Sequence, residues 1–206
     1  MSQYIKASTP IERFIHWVLA ISCLLLIISG LGFMFHDLSF VSRFFGGLYA
    51  MKVIHSYLGI VFGISLLFSL FTWLEAAKFD SKDIEWIKVG GGYLKKDVQI
   101  PEVGRYNAGQ KMFFVFVIVF GALIFISGLM MWFPFSFPKG LVRLSYVVHV
   151  LSFLALVPFI VVHIYLGSIG APGGIHAMIT GYVAKEWVEK HHPGWLKEVE
   201  SGQREG

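Results

Sequence analysis

The sequence predicts an all-α membrane protein, a bundle of four transmembrane helices followed by a cytoplasmic amphipathic C-terminal helix. Three observations carry that expectation. Hydrophobic residues make up 56% of the 206-residue chain and charged residues only 15%, against roughly 25% charged in a soluble domain. Charged side chains are absent from four runs, 14–36, 53–74, 112–138 and 144–184, and about 20 apolar residues of helix cross a bilayer core. Mean hydropathy over the whole chain is +0.68.

The first span falls near 14–35. It is longer than the apolar core of a signal peptide. The second span falls near 53–74. Between them and the third span lies the long segment 75–111, which holds a mixed-charge helix candidate, FDSKDIEWIKV, then three glycines at 90–92, then VGRYNAGQK at 103–111. Connections of that length often carry function. The third span falls near 112–133 and the fourth near 144–168. The last charge-free run is too long for one span, and GSIGAPGG at 167–174 breaks it, because Gly and Pro end helices.

The tail 175–206 begins with IHAMITGYVAKEWVEK. There Met178, Ile179, Tyr182, Val183 and Trp187 recur at helical spacing with charges on the other face, the pattern of an interfacial helix. No internal repeat or low-complexity stretch stands out. One integral membrane domain is expected over 1–206.

Four spans put both termini on one side. Of the 17 Lys and Arg, thirteen lie in the two tails and the 75–111 segment. Only Arg43, Lys52, Lys139 and Arg143 lie on the other side. The positive-inside rule then places both termini in the cytoplasm. The net charge of +4 is therefore a topology signal and not a nucleic-acid footprint. Cys23 is the single cysteine. It forms no intrachain disulfide, no four-thiolate cluster and no CxxCH haem attachment, and it reads as a small buried apolar residue.

The histidines carry the chemistry. Four of the eight lie in or at the ends of spans: His16, His55, His149 and His163. On a helix the fourteen residues from His149 to His163 rise about 21 Å and return to within about 40° of the same face. Pro158 lies between them and is expected to kink the helix. By depth, His55 and His149 share the outer half of the membrane, and His16 and His163 share the inner half. Two facing imidazoles ligate a haem iron from both sides and leave no open position, which suits electron transfer. Two such haems make a path across the membrane. Zinc would need three or four ligands at one point, and these four are split between two depths. A metal or solute transporter using the histidines as a relay is the rival of another class.

Small residues fit the haem arrangement. Gly30 lies fourteen residues after His16, and Ser69 fourteen after His55; each leaves room for a macrocycle, and each also suits ordinary close packing of membrane helices. His36, His176, His191 and His192 are expected at the surface. Arg13, Lys52, Arg143 and Lys111 lie near the expected haem edges, where propionate pairing and snorkelling explain them about equally.

Six features together resemble one family: IERFIHW at 11–17, IHSYLG at 54–59, VGRYNAGQKMFF at 103–114, the His149 and His163 pair, GYVAKEWVEKHHPGWLKEVE at 181–200, and the spacing between them. They are similar to the gamma subunit, cytochrome b556, of membrane-bound quinone-linked formate dehydrogenase. The resemblance covers nearly the whole chain. A looser likeness extends to hydrogenase and thiosulfate-reductase cytochromes, so a cytochrome b serving a hydrogenase or another quinone-linked oxidoreductase is the nearer alternative. The family resemblance implies two haem b groups, with His55 and His149 on the periplasmic side and His16 and His163 on the cytoplasmic side. It implies a quinone, menaquinone or ubiquinone, at His163, Asn107, Gly109 and Gln110. It also implies a bacterial inner-membrane location, an iron–sulfur beta subunit and a periplasmic alpha subunit with a molybdenum or tungsten pterin, assembled as a higher-order oligomer of the heterotrimer. The chain departs from the family pattern at GAPGGIH, 170–176, which is richer in Gly and Pro and less basic than expected.

Overall fold

The computed structural model describes residues 3–92 and 101–202. Lys95, Lys96 and Arg204, which enter the charge count above, lie outside the described residues. Four helices are long and apolar enough to cross a membrane: α1 (Pro10–Met34), α2 (Leu48–Trp73), α4 (Ala108–Trp132) and α5 (Lys139–Tyr165). The short α3 (Ser81–Lys88) realises the helix expected in the long connection. Each long helix starts before the charge-free run that announced it. Its first turns contain a charged residue, Arg13, Lys52, Lys111 or Arg143, so the charge-free run marks only the apolar part of each helix.

Three of these helices begin with a reciprocal cap. In α1, the Thr9 backbone N–H donates to Glu12 Oε2 at 2.6 Å and the Glu12 N–H donates to Thr9 Oγ1 at 3.2 Å. Pro10 occupies the first helical position, where its missing N–H costs nothing. In α3, Asp80 and Asp83 exchange the same pair of bonds. In α4, the partners are Asn107 and Gln110. Each pair satisfies two N–H groups that a helix start leaves open. Between α1 and α2 a 3-10 stretch, His36–Phe45, ends at Gly46, whose φ of 86° favours a residue without a Cβ.

The chain divides into two compact units. One comprises Met1–Arg13, Thr72–Val115 and Val161–Gly206; the other comprises Phe14–Phe71 and Phe116–Ile160.

The first unit holds a small polar-rimmed core. Strand β1 (Tyr4–Lys6) pairs antiparallel with β2 (Tyr182–Ala184), with Ile5 opposite Val183. Both side chains are buried and join Ala7, Val188, Trp195 and Leu196. The continuous interfacial helix expected over 175–190 is thereby interrupted. The tail is helical in α6 (His176–Ile179), α7 (Lys185–His191) and α8 (Pro193–Glu200), but Gly181 turns at φ 87° and the next three residues are strand. A Cβ at Gly181 would overlap the Arg13 guanidinium. The backbone of β1 supplies hydrogen-bond partners from the other end of the chain, which no local period announces.

The two stretches VGRYNAGQK and KHHPGW meet in this unit. Trp195 N–H donates to Val103 O at 3.3 Å, and His192 Nδ1 lies 3.0 Å from Gly104 O. A Cβ on Gly194 would stand 2.7 Å from Val103 O, so the close approach requires glycine. Arg105 ties the loop to the N-terminal tail through Ala7 O at 2.7 Å and Glu12 Oε1 at 2.9 Å. His192 is consequently not the surface residue expected; it is 3% exposed. The glycines of 170–176 also find a reason. Cβ atoms at Gly173 and Gly174 would each lie 3.1 Å from the Trp187 ring, so this segment is a bed for that indole.

The second unit is built from span segments in close contact. A Cβ on Gly63 of α2 would overlap the Phe125 ring of α4, and one on Gly121 would lie 2.9 Å from Leu66. Small residues at such points let membrane helices approach. Ser22, Ser29, Ser65 and Ser127 each donate their hydroxyl to the carbonyl four residues earlier.

Candidate haem-ligating site

His55, in the second turn of α2, and His149, in α5, face each other in the second unit. Their ring centroids are 6.5 Å apart and their planes are inclined by 57°. An imidazole nitrogen binds a first-row metal at about 2.0–2.1 Å, so two rings on opposite sides of one ion place their centroids about 6–6.5 Å apart. The observed separation fits one iron between them.

The Nδ1 atoms are already committed on the other side. His149 Nδ1 lies 3.0 Å from Ile124 O, which can only accept, so this nitrogen carries the hydrogen. It also lies 3.0 Å from Ser127 Oγ. Ser127 donates its own hydrogen to Leu123 O at 2.6 Å. His55 Nδ1 lies 2.7 Å from Ser29 Oγ, which donates to Leu25 O at 2.8 Å. In each ring Nε2 is left with its lone pair, the form a metal needs.

Glycines line both rings. A Cβ at Gly30 would sit 3.5 Å from Phe153 and 4.0 Å from His55 Cε1. A Cβ at Gly128 would sit 3.3 Å from His149 Cε1. Gly30 therefore lies at the level of His55, as its spacing predicted. Ser29, Ser127 and Gly128 were not anticipated from the sequence. A signal was present nonetheless: the tetrapeptide Ile-Ser-Gly-Leu occurs at 28–31 and again at 126–129. The chain thus has a short internal repeat, and each copy supports one histidine.

The family model described as prokaryotic cytochrome b561 matches residues 7–181. The chain belongs to that family. This cytochrome b is 31% identical over 206 residues to the nitrate-inducible formate dehydrogenase cytochrome b556(Fdn) subunit of Escherichia coli strain K12, covering 98% of the chain and 94% of the relative. It is 32% identical to the formate dehydrogenase cytochrome b556(fdo) subunit of the same strain, covering 93% and 91%. It is 28% identical to the formate dehydrogenase cytochrome b556 subunit of Haemophilus influenzae, covering 96% and 84%. Haem b is the cofactor of the family, and the His55 and His149 pair has the donor chemistry and spacing to receive it.

The remaining candidates of this cytochrome lie elsewhere. In the second unit, His16 of α1 meets the Trp17 ring edge-on at 5.3 Å. Ser69 is buried, and its hydroxyl has no hydrogen-bond partner among the described residues. In the first unit, His163 stacks flat on Phe113, with centroids 4.2 Å apart and planes within 3°. Asn107 Oδ1 accepts from Gln110 N–H and Gln110 Oε1 accepts from Asn107 N–H, both at 2.9 Å. These oxygens serve the cap, and the two amide NH₂ groups stay available as donors. A Cβ at Gly109 would stand 3.0 Å from the Trp86 ring, so α3 packs directly over this turn. Lys111, weighed above as a propionate partner, is instead paired with Asp83 at 2.6 Å. Among the described residues no group of three or more His, Cys, Asp or Glu side chains converges, which does not favour a zinc site.

Proposed function

We propose that this cytochrome b is the two-haem membrane subunit of a formate dehydrogenase complex, carrying electrons from a periplasmic iron–sulfur subunit to quinone near the cytoplasmic side. The observation that carries the reading is the His55 and His149 pair, 6.5 Å apart with both Nδ1 atoms engaged. The similarity to formate dehydrogenase cytochrome b556 subunits supports the formate dehydrogenase assignment. His55 and His149 would hold the outer haem b. His16 and His163 would hold the inner one, an assignment supported by their depth in the spans and by the family resemblance. When bound, haem b supplies a one-electron carrier at each level. The chain's part would be to hold the ligand rings from behind and to supply two histidines to each haem, so that electron transfer is favoured over binding of small molecules.

Asn107, Gly109, Gln110 and His163 would receive the quinone, the two amide NH₂ groups acting as donors to its carbonyl oxygens. Protons would enter from the cytoplasm, the side to which the positive-inside rule assigns both termini in the bacterial inner membrane. Formate oxidation itself would belong to the partner subunit with the molybdenum or tungsten pterin, and the iron–sulfur clusters to the other partner, because one cysteine cannot bind such a cluster. The test is isolation of the intact complex from membranes. It should contain two b haems per copy of this chain, lose one in His149→Ala, and reduce quinone with formate. A single haem in the unaltered chain would overturn the two-haem reading, and two haems without formate-linked reduction would overturn the choice of donor.

A further inference from the structure

We infer that Ser29 and Ser127 are positioning residues for the outer haem, each fixing one histidine's tautomer and raising its basicity, and that Ser29 has the larger effect. The inference rests on the reading of His55 and His149 as haem ligands.

Each serine hydroxyl has one hydrogen. Ser29 spends it on Leu25 O at 2.8 Å and Ser127 on Leu123 O at 2.6 Å, the carbonyl one turn back in its own helix. The lone pairs of Ser29 Oγ then accept from His55 Nδ1–H at 2.7 Å, and those of Ser127 Oγ from His149 Nδ1–H at 3.0 Å. The helix carbonyl therefore sets the direction of the hydroxyl, and the hydroxyl sets the tautomer of the ring. Both serines are buried, at 0% and 3% exposure, so water does not substitute for them. A ring that donates Nδ1–H to an acceptor is a stronger donor through Nε2, and this favours the more positive, oxidised iron.

The two sites differ in redundancy. His149 Nδ1 has a second acceptor, Ile124 O at 3.0 Å. For His55 the hydrogen bond to Ser29 is the polar contact, and the neighbouring group is the Phe33 ring at 5.5 Å. Removing Ser29 Oγ leaves a buried N–H unsatisfied, whereas removing Ser127 Oγ does not. The repeated Ile-Ser-Gly-Leu explains how the arrangement arises twice: the serine accepts from the histidine, and the next residue, glycine, lets the ring lie against the helix.

The experiment is a potentiometric titration of the two haems, followed by visible absorption, in the isolated complex. Its variants are Ser29→Ala, Ser127→Ala, Ser29→Thr and Ser22→Ala. Ser22 is a control: it lies in α1, is equally buried, and bonds only to backbone carbonyls. Ser29→Ala should raise the potential of one haem only. Loss of such a supporting bond typically costs roughly tenfold to a hundredfold in metal affinity. A tenfold loss confined to the oxidised form equals an upward shift of about 59 mV. Ser127→Ala should shift the same haem by less, Ser29→Thr should restore it, and Ser22→Ala should leave both potentials in place. Loss of the outer haem in Ser29→Ala but not in Ser22→Ala supports the inference equally. Unchanged potentials in Ser29→Ala, or the same change in Ser22→Ala, would overturn it while leaving the haem assignment intact. An unaltered chain without haem would overturn the assignment itself.

Discussion

Lys111 Nζ lies 2.6 Å from Asp83 Oδ2, with the two side chains 9% and 3% exposed. The pair joins the helix of the long connection to the start of the third span, and Asp80 stands by at 3.8 Å. A buried pair gains little over an apolar replacement, but breaking it strands one charge at a cost of about 3–5 kcal/mol. Asp83→Asn should therefore lower the melting temperature of the purified protein clearly, and Asp80→Asn should lower it little. The double change Lys111→Met with Asp83→Leu should recover most of the loss. A differential melting assay on the four proteins decides it; equal losses for Asp80→Asn and Asp83→Asn would sink the idea.

Gly63 and Phe125 make a second prediction. Gly63→Ala gains about 1 kcal/mol in intrinsic helix propensity, yet its Cβ would overlap the edge of the Phe125 ring. Overpacking of that kind costs about 1–3 kcal/mol, and the overlap with a whole ring edge makes it the larger effect. Gly63→Ala should destabilise the protein, and adding Phe125→Leu should return part of the loss. Thermal denaturation in detergent is the measurement. Stabilisation by Gly63→Ala alone would show that the two helices separate at no cost.

Asn107 has two roles that one substitution separates. Its Oδ1 caps α4 at 2.9 Å, and its NH₂ is the group proposed for the quinone. Asn107→Ala removes both, and loss of a cap costs about 1 kcal/mol. Asn107→Asp keeps the capping oxygen and replaces the NH₂ donor with a charged acceptor. The aspartate variant should keep its stability and both haems while binding a quinone-site inhibitor up to about tenfold more weakly, the worth of one hydrogen bond. Inhibitor titrations showing equal binding would remove Asn107 from the quinone site.

The spans were legible because the bilayer imposes one rule on twenty residues at a time, and that rule is visible as missing charge. Their ends were less so, since Lys52 and Lys111 are charged and still helical. That His55 and His149 face each other was legible from depth, because a helix converts residue number into height. Ser29 and Ser127 were not, because a lone serine in a span ordinarily bonds its own helix, and these do that as well. Their second bond depends on the neighbouring span. Strand β2 was hidden for a related reason. Tyr182, Val183 and Trp187 satisfy a helical period, and only pairing with Tyr4–Lys6 at the far end of the chain turns the first two, with Ala184, into strand.

The clasp between the long connection and the C-terminal tail should weaken in acid. His192 Nδ1–H donates to Gly104 O at 3.0 Å, and the ring lies 5.3 Å from Trp187 and 6.2 Å from Trp195. Burial pushes its pKa down from 6.5 to about 4, the bond to Gly104 O opposes that, and His191 adds to the lowering. The folded state thus resists a proton that the unfolded segment accepts. Above pH 6.5 both states are neutral and the clasp has its full stability. As pH falls below 6.5 the unfolded segment gains protons first, and stability is lost until the folded ring also titrates near 4. Across that window the loss is on the order of 3 kcal/mol. His192→Gln keeps a donor for Gly104 O without titrating, so it should flatten the dependence. Hydrogen exchange of residues 103–105 and 185–196, followed between pH 7 and 5 and corrected for the intrinsic rate, reads the local stability directly. Protection that stays constant in the unaltered chain, or falls equally in His192→Gln, would show that this histidine does not set the response.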